Sequence, residues 1–391
     1  MNKFWKIVIP IIFALAALLG FVRRSHDDTL KKSGYTAPAQ LSADSLQSYY
    51  QKSQDAVAVA STSTTVTFLA GGDIMLSRNV ASTIKKAGDP LLPFKALAPI
   101  LDSTDFNFAN LESPVAELVK NQIVGGNSLI FGAPQENIQG LKTYNFRMVN
   151  LANNHAYDQG LKGLLFTKNY LGAQGIKNIG TGNTLEEAWQ PQIITVHGVK
   201  IAFIGASFSS LNDGGNLVNN NVARIEDVSH LKAAIVAAKT MADYVVVTMH
   251  AGVEYTRNPT IAQTTFARAA IDAGTDIVIG AHPHWIQTIE HYKGKYIFYS
   301  LGNFIFDQEW SQDTKEGLAL KIQITKNQVP NTTTLGAATM DDLQGTRQPA
   351  QLSSIELMPI ILENYSTPRL ATTEESKKIL QKIKQNETSL K

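Results

Sequence analysis

The chain contains no cysteine among its 391 residues. This absence excludes disulfides, thiolate metal ligands, thiol nucleophiles and a lipid-modified N-terminal cysteine. Any metal site must therefore use imidazole, carboxylate and amide groups, which favour ions such as Mn, Fe, Zn or Mg over thiophilic metals.

An excess of charge of either sign is also lacking. The 35 Lys and Arg residues nearly balance the 33 Asp and Glu residues, and the formal net charge is +2. With 44% hydrophobic residues, this composition is typical of a globular protein and gives no indication of a nucleic-acid partner. The length allows one large domain or two ordinary ones.

Long apolar runs are rare, and the clearest one lies at the N-terminus, over residues 7–22. It is short for a membrane span, but Phe4 and Trp5 extend it far enough. The residues ahead of Arg23 make a poor signal-peptidase site. We predict an uncleaved single-pass anchor over residues 1–24, which holds the protein at the cell membrane with its domain outside the cytoplasm. A cleaved signal that yields a secreted protein is the alternative.

The rest of the chain divides into a linker, a domain and an extension. Residues 25–64 are polar and predict a linker. From residue 65 to residue 325, strand-like and helix-like segments alternate, which predicts an α/β fold with strand-end loops gathered on one side. Residues 326–391 are predicted to complete the domain and to end in a charged tail. The Gly- and Asn-rich segment 212–221 is a predicted lid.

Carboxylates follow the first two predicted strands of the domain. The strand at residues 65–70 leads through two glycines to Asp73, and the strand at residues 106–111 leads directly to Glu112. Carboxylates in such positions are well placed to bridge metal ions. The alternative for Asp73 is that it caps a helix starting near Leu76.

The third predicted strand, residues 144–151, leads into a polar turn. Asn154 and His155 lie in this turn, with Asp158 close behind. An Asn-rich turn needs no function, because Asn tolerates left-handed backbone and caps helices. A histidine between amide and carboxylate groups nevertheless favours a functional site.

Histidines follow two later strands. His250 ends the predicted strand at residues 243–249, and His282 and His284 follow the strand at residues 276–280 on a Pro-containing turn. Imidazole is a common ligand of divalent metals, and this i, i+2 spacing lets two rings flank one site. Chance histidines in a surface loop are the alternative. Together, the five strand ends predict a site for two neighbouring divalent cations that clamps a tetrahedral group and activates water.

These motifs resemble the CapA family of bacterial poly-gamma-glutamate capsule proteins, which is similar to the calcineurin-type metallophosphoesterases. The resemblance covers roughly residues 65–325 in the family's order. It is carried by residues 72–75, 110–112, 153–158, 250–255, 280–284 and 300–304. The implied fold is a four-layer α/β/β/α sandwich.

The resemblance also implies roles for individual residues. Asp73 would bridge two metals and take part in catalysis, and His155 would be the general acid or orient the leaving oxygen. Asn154, His250 and His282 would serve one metal, and His284 the other. The implied ligands for one or two Mn, Fe or Zn ions are Asp73, Glu112, Asn154, His250, His282 and His284. The predicted substrate-binding residues are Tyr157, Glu254 and Asn303.

Two positions depart from the phosphoesterase pattern. Met75 replaces a ligand histidine and Glu112 replaces a bridging aspartate, departures that the CapA branch shares. They leave one metal position a ligand short and argue against ordinary phosphodiester hydrolysis.

The sequence thus predicts a membrane-anchored protein that acts in synthesis, export or attachment of an anionic surface polymer. Its predicted partners are that polymer or a phosphate-type substrate, the membrane and, by resemblance, membrane proteins of polymer synthesis. One alternative is a metal-dependent phosphatase or phosphodiesterase of the cell surface. The other is a non-enzymatic scaffold that binds polymer.

Overall fold

The computed structural model describes residues 63–115, 130–208, 221–327 and 349–387. The predicted anchor, nearly all of the linker, the predicted lid except Asn221, and most of the loop at residues 326–352 lie outside these ranges. No helix in the described ranges has both the length and the apolar character that a bilayer crossing requires.

The strands predicted ahead of Asp73, Glu112, Asn154, His250 and His282 are all present. In chain order, the strands are β1 (Ser63–Ile74), β2 (Phe106–Leu111), β3 (Phe146–Asn150), β4 (Lys177–Ile179), β5 (Gln192–Val196), β6 (Val199–Ser207), β7 (Tyr244–His250), β8 (Ile277–Ala281), β9 (Ile289–Tyr292), β10 (Lys295–Phe298), β11 (Asn303–Ile305), β12 (Glu316–Asn327), β13 (Gln351–Glu363) and β14 (Thr367–Leu370).

Helices connect most of the parallel strands. They are α1 (Arg78–Ala87), α2 (Ala98–Leu101), α3 (Gln139–Thr143), α4 (Gly160–Ala173), α5 (Leu185–Ala188), α6 (Val228–Met241), α7 (Ile261–Asp272), α8 (Gln312–Lys315) and α9 (Thr373–Glu387). Short 3-10 turns span Leu92–Leu97 and Gln135–Ile138.

The strands form two sheets. The first has the order β14-β13-β12-β1-β2-β3-β4, with β11 paired to the end of β1. The strands from β1 to β4 are parallel, whereas β12 to β14 are antiparallel. The second sheet has the order β5-β6-β7-β8-β10-β9, with a parallel centre and antiparallel edges. The chain therefore has a mixed α/β fold.

A hydrophobic core joins the two sheets face to face. Phe68 and Phe106 stack with ring centroids 5.1 Å apart on the first sheet, and both contact Phe203 of the second sheet edge-on at 6.1 Å. Because side chains alternate along a strand, Leu69 points the other way, into a separate core beneath α1 and α4. A third core lies between the second sheet and helices α6 and α7. The layers are thus helix, sheet, sheet and helix, as predicted.

Close contact between two backbones holds Asp73 in place. A Cβ atom on Gly72 would lie 1.9 Å from the carbonyl oxygen of Gly302, so no larger residue fits there. The N–H of Asp73 donates to that same oxygen at 3.0 Å. Helix α1 begins at Arg78, with Ser77 at its N-cap position. The alternative that Asp73 caps this helix is therefore wrong.

We expect Phe203→Ala to lower the free energy of unfolding by about 3–5 kcal/mol, because it leaves a cavity between the sheets. The measurement is denaturant unfolding of the full-length protein followed by circular dichroism. Val236→Ala is the control, because Val236 is 61% exposed on α6, and its effect should stay within about 0.5 kcal/mol. Equal effects of the two changes would contradict the assigned inter-sheet core.

Candidate metal centre

The carboxyl ends of five strands from the two sheets meet at one edge of the sandwich. In the first sheet, the parallel register sets Asp73 beside Asn110 and Asn110 beside Asn150. In the second sheet it sets His250 beside Ala281, the residue before His282. Such an edge is where ligands collect in α/β proteins.

The first ligand group combines Glu112, Asn154, His250 and His282. His250 Nε2 lies 2.7 Å from Asn154 Oδ1 and 3.1 Å from His282 Nδ1, so three potential ligand atoms face the same small space. Glu112 Oε1 lies 3.7 Å from His250 Nε2. The ligand atoms of Glu112, His250 and His282 all lie within 4.8 Å of one another.

The second ligand group consists of Asp73, Glu112 and His284, whose ligand atoms also lie within 4.8 Å of one another. Glu112 belongs to both groups, whereas Asp73 belongs to one. By distance, Glu112 is therefore the carboxylate best placed between two cations, while the bridging role predicted for Asp73 stays a prediction. Met75 packs in the core, and its sulfur accepts the Ser77 N–H at 3.1 Å. Met75 therefore adds no ligand atom, and the second group contains three candidate ligands.

Both carboxyl groups are fully buried. Burial raises the pKa of Glu112 well above its usual value, and the negative charges of Asp73 and Glu254 raise it further. Burial raises the pKa of Asp73 from 3.8 to about 7, although hydrogen bonds from His282 and Asn110 oppose this shift. Neither oxygen of Glu112 accepts a hydrogen bond in the part of the chain that the structure describes. Such a group lacks a partner that stabilises its charged form.

The histidines share this environment. Burial lowers the pKa of His250 and His282 well below the usual value, and neighbouring histidines lower it further. Burial likewise lowers the pKa of His284 to about 3. Neutral imidazole is the form that binds metals, and divalent cations would supply the charge that the orphaned Glu112 needs. The nitrogen and oxygen donors therefore fit Mn, Fe or Zn.

Buried asparagine side chains hold the candidate ligands in place on the side away from the two ligand groups. Asn110 Nδ2 donates to Asp73 Oδ1 at 2.7 Å and lies 3.1 Å from His250 Nδ1, and Asn150 Nδ2 donates to Asn110 Oδ1 at 2.9 Å. Such contacts set the orientation of metal ligands. Neither Asn110 nor Asn150 is among the site residues predicted from the sequence. Asn is unusual inside strands and needs polar partners when buried, and that signal would have identified them.

The predicted substrate-binding residues lie in three different environments. Asn303 is fully buried behind His284, whose Nδ1 lies 2.9 Å from Asn303 Oδ1, and its Nδ2 donates to the Thr314 carbonyl. This position orients the imidazole. Tyr157 packs against a small separate cluster that includes Leu164 and Val222. Glu254 is exposed, and its charge acts on both buried carboxyl groups.

His155 is held by a carboxylate and an aromatic ring. Its Nδ1 lies 2.7 Å from Asp158 Oδ2, and its Nε2 lies 3.6 Å from Glu112 Oε1. The ring of Phe131 stacks on the imidazole with centroids 3.8 Å apart, and the Phe131 N–H donates to the same Asp158 oxygen. The arrangement leaves the Nε2 side of His155 facing the ligand groups.

Arg78 supports this aromatic ring. Its guanidinium lies 4.8 Å from the centre of Phe131 and is paired with the buried carboxylate of Asp307. Arg78 has a φ of 45°, a region that few residues other than glycine adopt. Phe131, Arg78 and Asp307 are not predicted from the sequence, because they come together only through the fold.

The family model for the bacterial capsule synthesis protein PGA_cap matches residues 67–308, a range that contains every candidate ligand. The chain belongs to this capsule synthesis family. It is 34% identical over 295 residues to the PGA biosynthesis protein CapA of Bacillus subtilis (strain 168), a match that covers 75% of this chain and 76% of the relative. It is 33% identical over 264 residues to the capsule biosynthesis protein CapA of Bacillus anthracis, covering 66% of this chain and 63% of the relative.

Among solved structures, this capsule synthesis family member is similar to a calcineurin-like phosphoesterase of Bacillus subtilis. The TM-score is 0.44 at 13% identity, and the match covers 84% of this chain and 99% of that one. The relatives confirm the family resemblance that the motifs indicated.

We expect Asp73→Asn to stabilise the chelator-treated, metal-free protein, by an amount that grows as the pH rises from about 4 to about 7. Asp73 has a pKa of about 7 in the folded protein, whereas the usual pKa of this side chain is 3.8. The native state binds this proton more tightly than the unfolded state does. Raising the pH through this window removes the proton and therefore destabilises the native state. Asparagine carries no such proton.

The measurement is denaturant unfolding at several pH values. Asp102→Asn removes an exposed carboxylate and should show no comparable gain. A difference between wild type and Asp73→Asn that stays flat across the window would contradict the burial of a protonated Asp73.

Proposed function

We propose that this protein acts in the synthesis, export or attachment of an anionic surface polymer of the poly-gamma-glutamate type, through a metal-dependent site at the strand ends. The observation that carries the proposal is Glu112, which is buried without a hydrogen-bond partner among the described residues and belongs to both ligand groups in a chain of the capsule synthesis family. The Bacillus subtilis relative is named a PGA biosynthesis protein, which supports the choice of polymer.

Each ligand group would hold one divalent cation, either Mn, Fe or Zn. Asn154, His250 and His282 would bind the first, Asp73 and His284 the second, with Glu112 between them. Bound cations supply positive charge that polarises a carbonyl or phosphoryl oxygen and lowers the pKa of water. The protein would hold these ligands in fixed orientations, because Asn110 orients Asp73 and Asn303 orients His284.

His155 is the proton-transfer group of this proposal. An Nδ1–H donated to Asp158 fixes the ring, so Nε2 is left to accept a proton from an attacking group or to give one to a leaving atom. Phe131 covers one face of the ring and keeps water from it. The attacking group would be water or a polymer end, and the electrophile would be an acyl or phosphoryl centre.

We further propose that residues 1–24 anchor the protein in the cell membrane, with the domain on the extracytoplasmic side. The apolar run over residues 7–22 supports this assignment. Membrane proteins that synthesise the polymer would be its partners. Cleavage after the run would instead yield a secreted form.

The test is polymer production in a strain that lacks its own copy of this gene, complemented with full-length variants. His250→Ala should abolish the polymer, and His155→Ala should slow its formation by about 10²–10⁴-fold, the usual contribution of a general acid or base. His291→Ala is the matched control, because His291 is exposed on β9 and should not affect production. Normal polymer from a folded, expressed His250→Ala protein would contradict the proposal.

A cell-surface phosphatase or phosphodiesterase is the second candidate, because two ligand groups that share a carboxylate also suit phosphoryl transfer. An aryl phosphate with added Mn discriminates between the two. Fast turnover that is lost in His155→Ala would favour the phosphatase, whereas no turnover, together with polymer loss in His250→Ala, favours the polymer function. Polymer production that survives both changes would favour a non-enzymatic scaffold.

A further inference from the structure

Two aromatic rings form a corner on the solvent side of the second ligand group. Tyr255 lies over His284 with centroids 6.0 Å apart and planes 28° apart. Trp310 meets Tyr255 at 4.7 Å and an angle of 83°. Trp310 is 60% exposed, so its ring is open to a ligand although it lies beside a buried metal centre.

Hydrogen bonds connect this aromatic corner to the candidate metal centre. Tyr255 has a φ of 62°, which is unfavourable for a bulky residue, and its N–H donates to the Pro283 carbonyl at 2.9 Å. Gln308 Nε2 donates to Tyr255 Oη at 3.3 Å, and Gln308 Oε1 accepts from Asn303, which also contacts His284. The same hydrogen-bonded chain thus positions the ligand His284 and the phenol of Tyr255.

A carboxylate completes the corner. Glu254 is exposed and directly precedes Tyr255. Burial raises the pKa of Tyr255, and the negative charge of the adjacent Glu254 raises it further. Glu254 takes part in none of the ion pairs formed among residues 63–115, 130–208, 221–327 and 349–387. Two aromatic rings at right angles, next to a carboxylate that has no basic partner among the described residues, are a combination that recognises an organic cation.

We infer that Glu254, Tyr255 and Trp310 form a subsite for a primary ammonium group, namely the amino end of a glutamyl chain that reaches the metal centre. This inference rests on the proposed function, because that function supplies the chain. Every residue of an amide-linked glutamate chain carries a carboxylate, which Glu254 repels. Only the amino end carries a positive charge, so the subsite selects the end of the chain over its interior.

The experiment compares two ligands of the full-length, metal-loaded protein by calorimetry: a gamma-linked glutamate trimer with a free amino end, and its N-acetylated form. The wild type should bind the free-amine trimer about tenfold more tightly, since it gains a charge-assisted contact and a cation–π contact. Glu254→Gln should abolish this preference and leave the metal content unchanged. It should also raise the affinity for the acetylated trimer, because the repulsion between Glu254 and the carboxylates of the chain is lost. Trp310→Leu should reduce the preference.

Glu356→Gln is the matched control, because it removes an exposed carboxylate on β13 and should keep the full preference. Equal binding of the two trimers by the wild type would overturn the subsite. An undiminished preference in Glu254→Gln would overturn it as well.

A separate probe distinguishes failure of the subsite from failure of the proposed function. If neither trimer binds, the glutamate polymer is the wrong substrate, and butylammonium alone then tests the subsite. Its addition should change the fluorescence of Trp310 in the wild type and in Glu356→Gln but not in Glu254→Gln, and butanol should have no effect. An unchanged wild-type signal, or an equal change in Glu254→Gln, would overturn the inference.

Discussion

The burial of two carboxyl groups, Asp73 and Glu112, is the constraint on which the rest of the site depends. Both lie at the ends of adjacent parallel strands and are fully buried. A carboxylate without water or a partner is costly, so the surroundings must supply either protons or positive charge. The neighbouring histidines are themselves held neutral by burial. A pair of divalent cations would satisfy the carboxylates and the imidazoles together.

The two-sheet architecture makes this site a product of long-range packing. Asp73 and Glu112 come from the first sheet, and His250 and His282 from the second. Their distances therefore depend on the core around Phe68 and Phe203, which sets one sheet against the other. Because a metal bound to the native state alone stabilises it by mass action, metal binding and sheet packing should reinforce each other.

The ligand positions could be predicted from the sequence because each is a polar residue at the end of a strongly apolar strand or just after it, as with His250 at the end of β7. The division of the strands into two sheets could not be predicted, because the alternation of apolar and polar residues along a strand does not show which strands pair. Asn303 was predicted to bind substrate, but the fold places it behind His284. The Phe131–His155 stack and the Tyr255–Trp310 corner join residues far apart in sequence, and no local pattern encodes such contacts.

The central claim is that buried strand-end ligands bind divalent metal, and elemental analysis of the full-length protein tests it most directly. The comparison is between wild type, the double variant His282→Ala, His284→Ala, and a control double variant at the exposed His197 and His291. We predict about one or two equivalents of Mn, Fe or Zn in the wild type and the control, and a loss of metal in the ligand variant. Wild-type protein that holds no metal even after reconstitution would contradict the account.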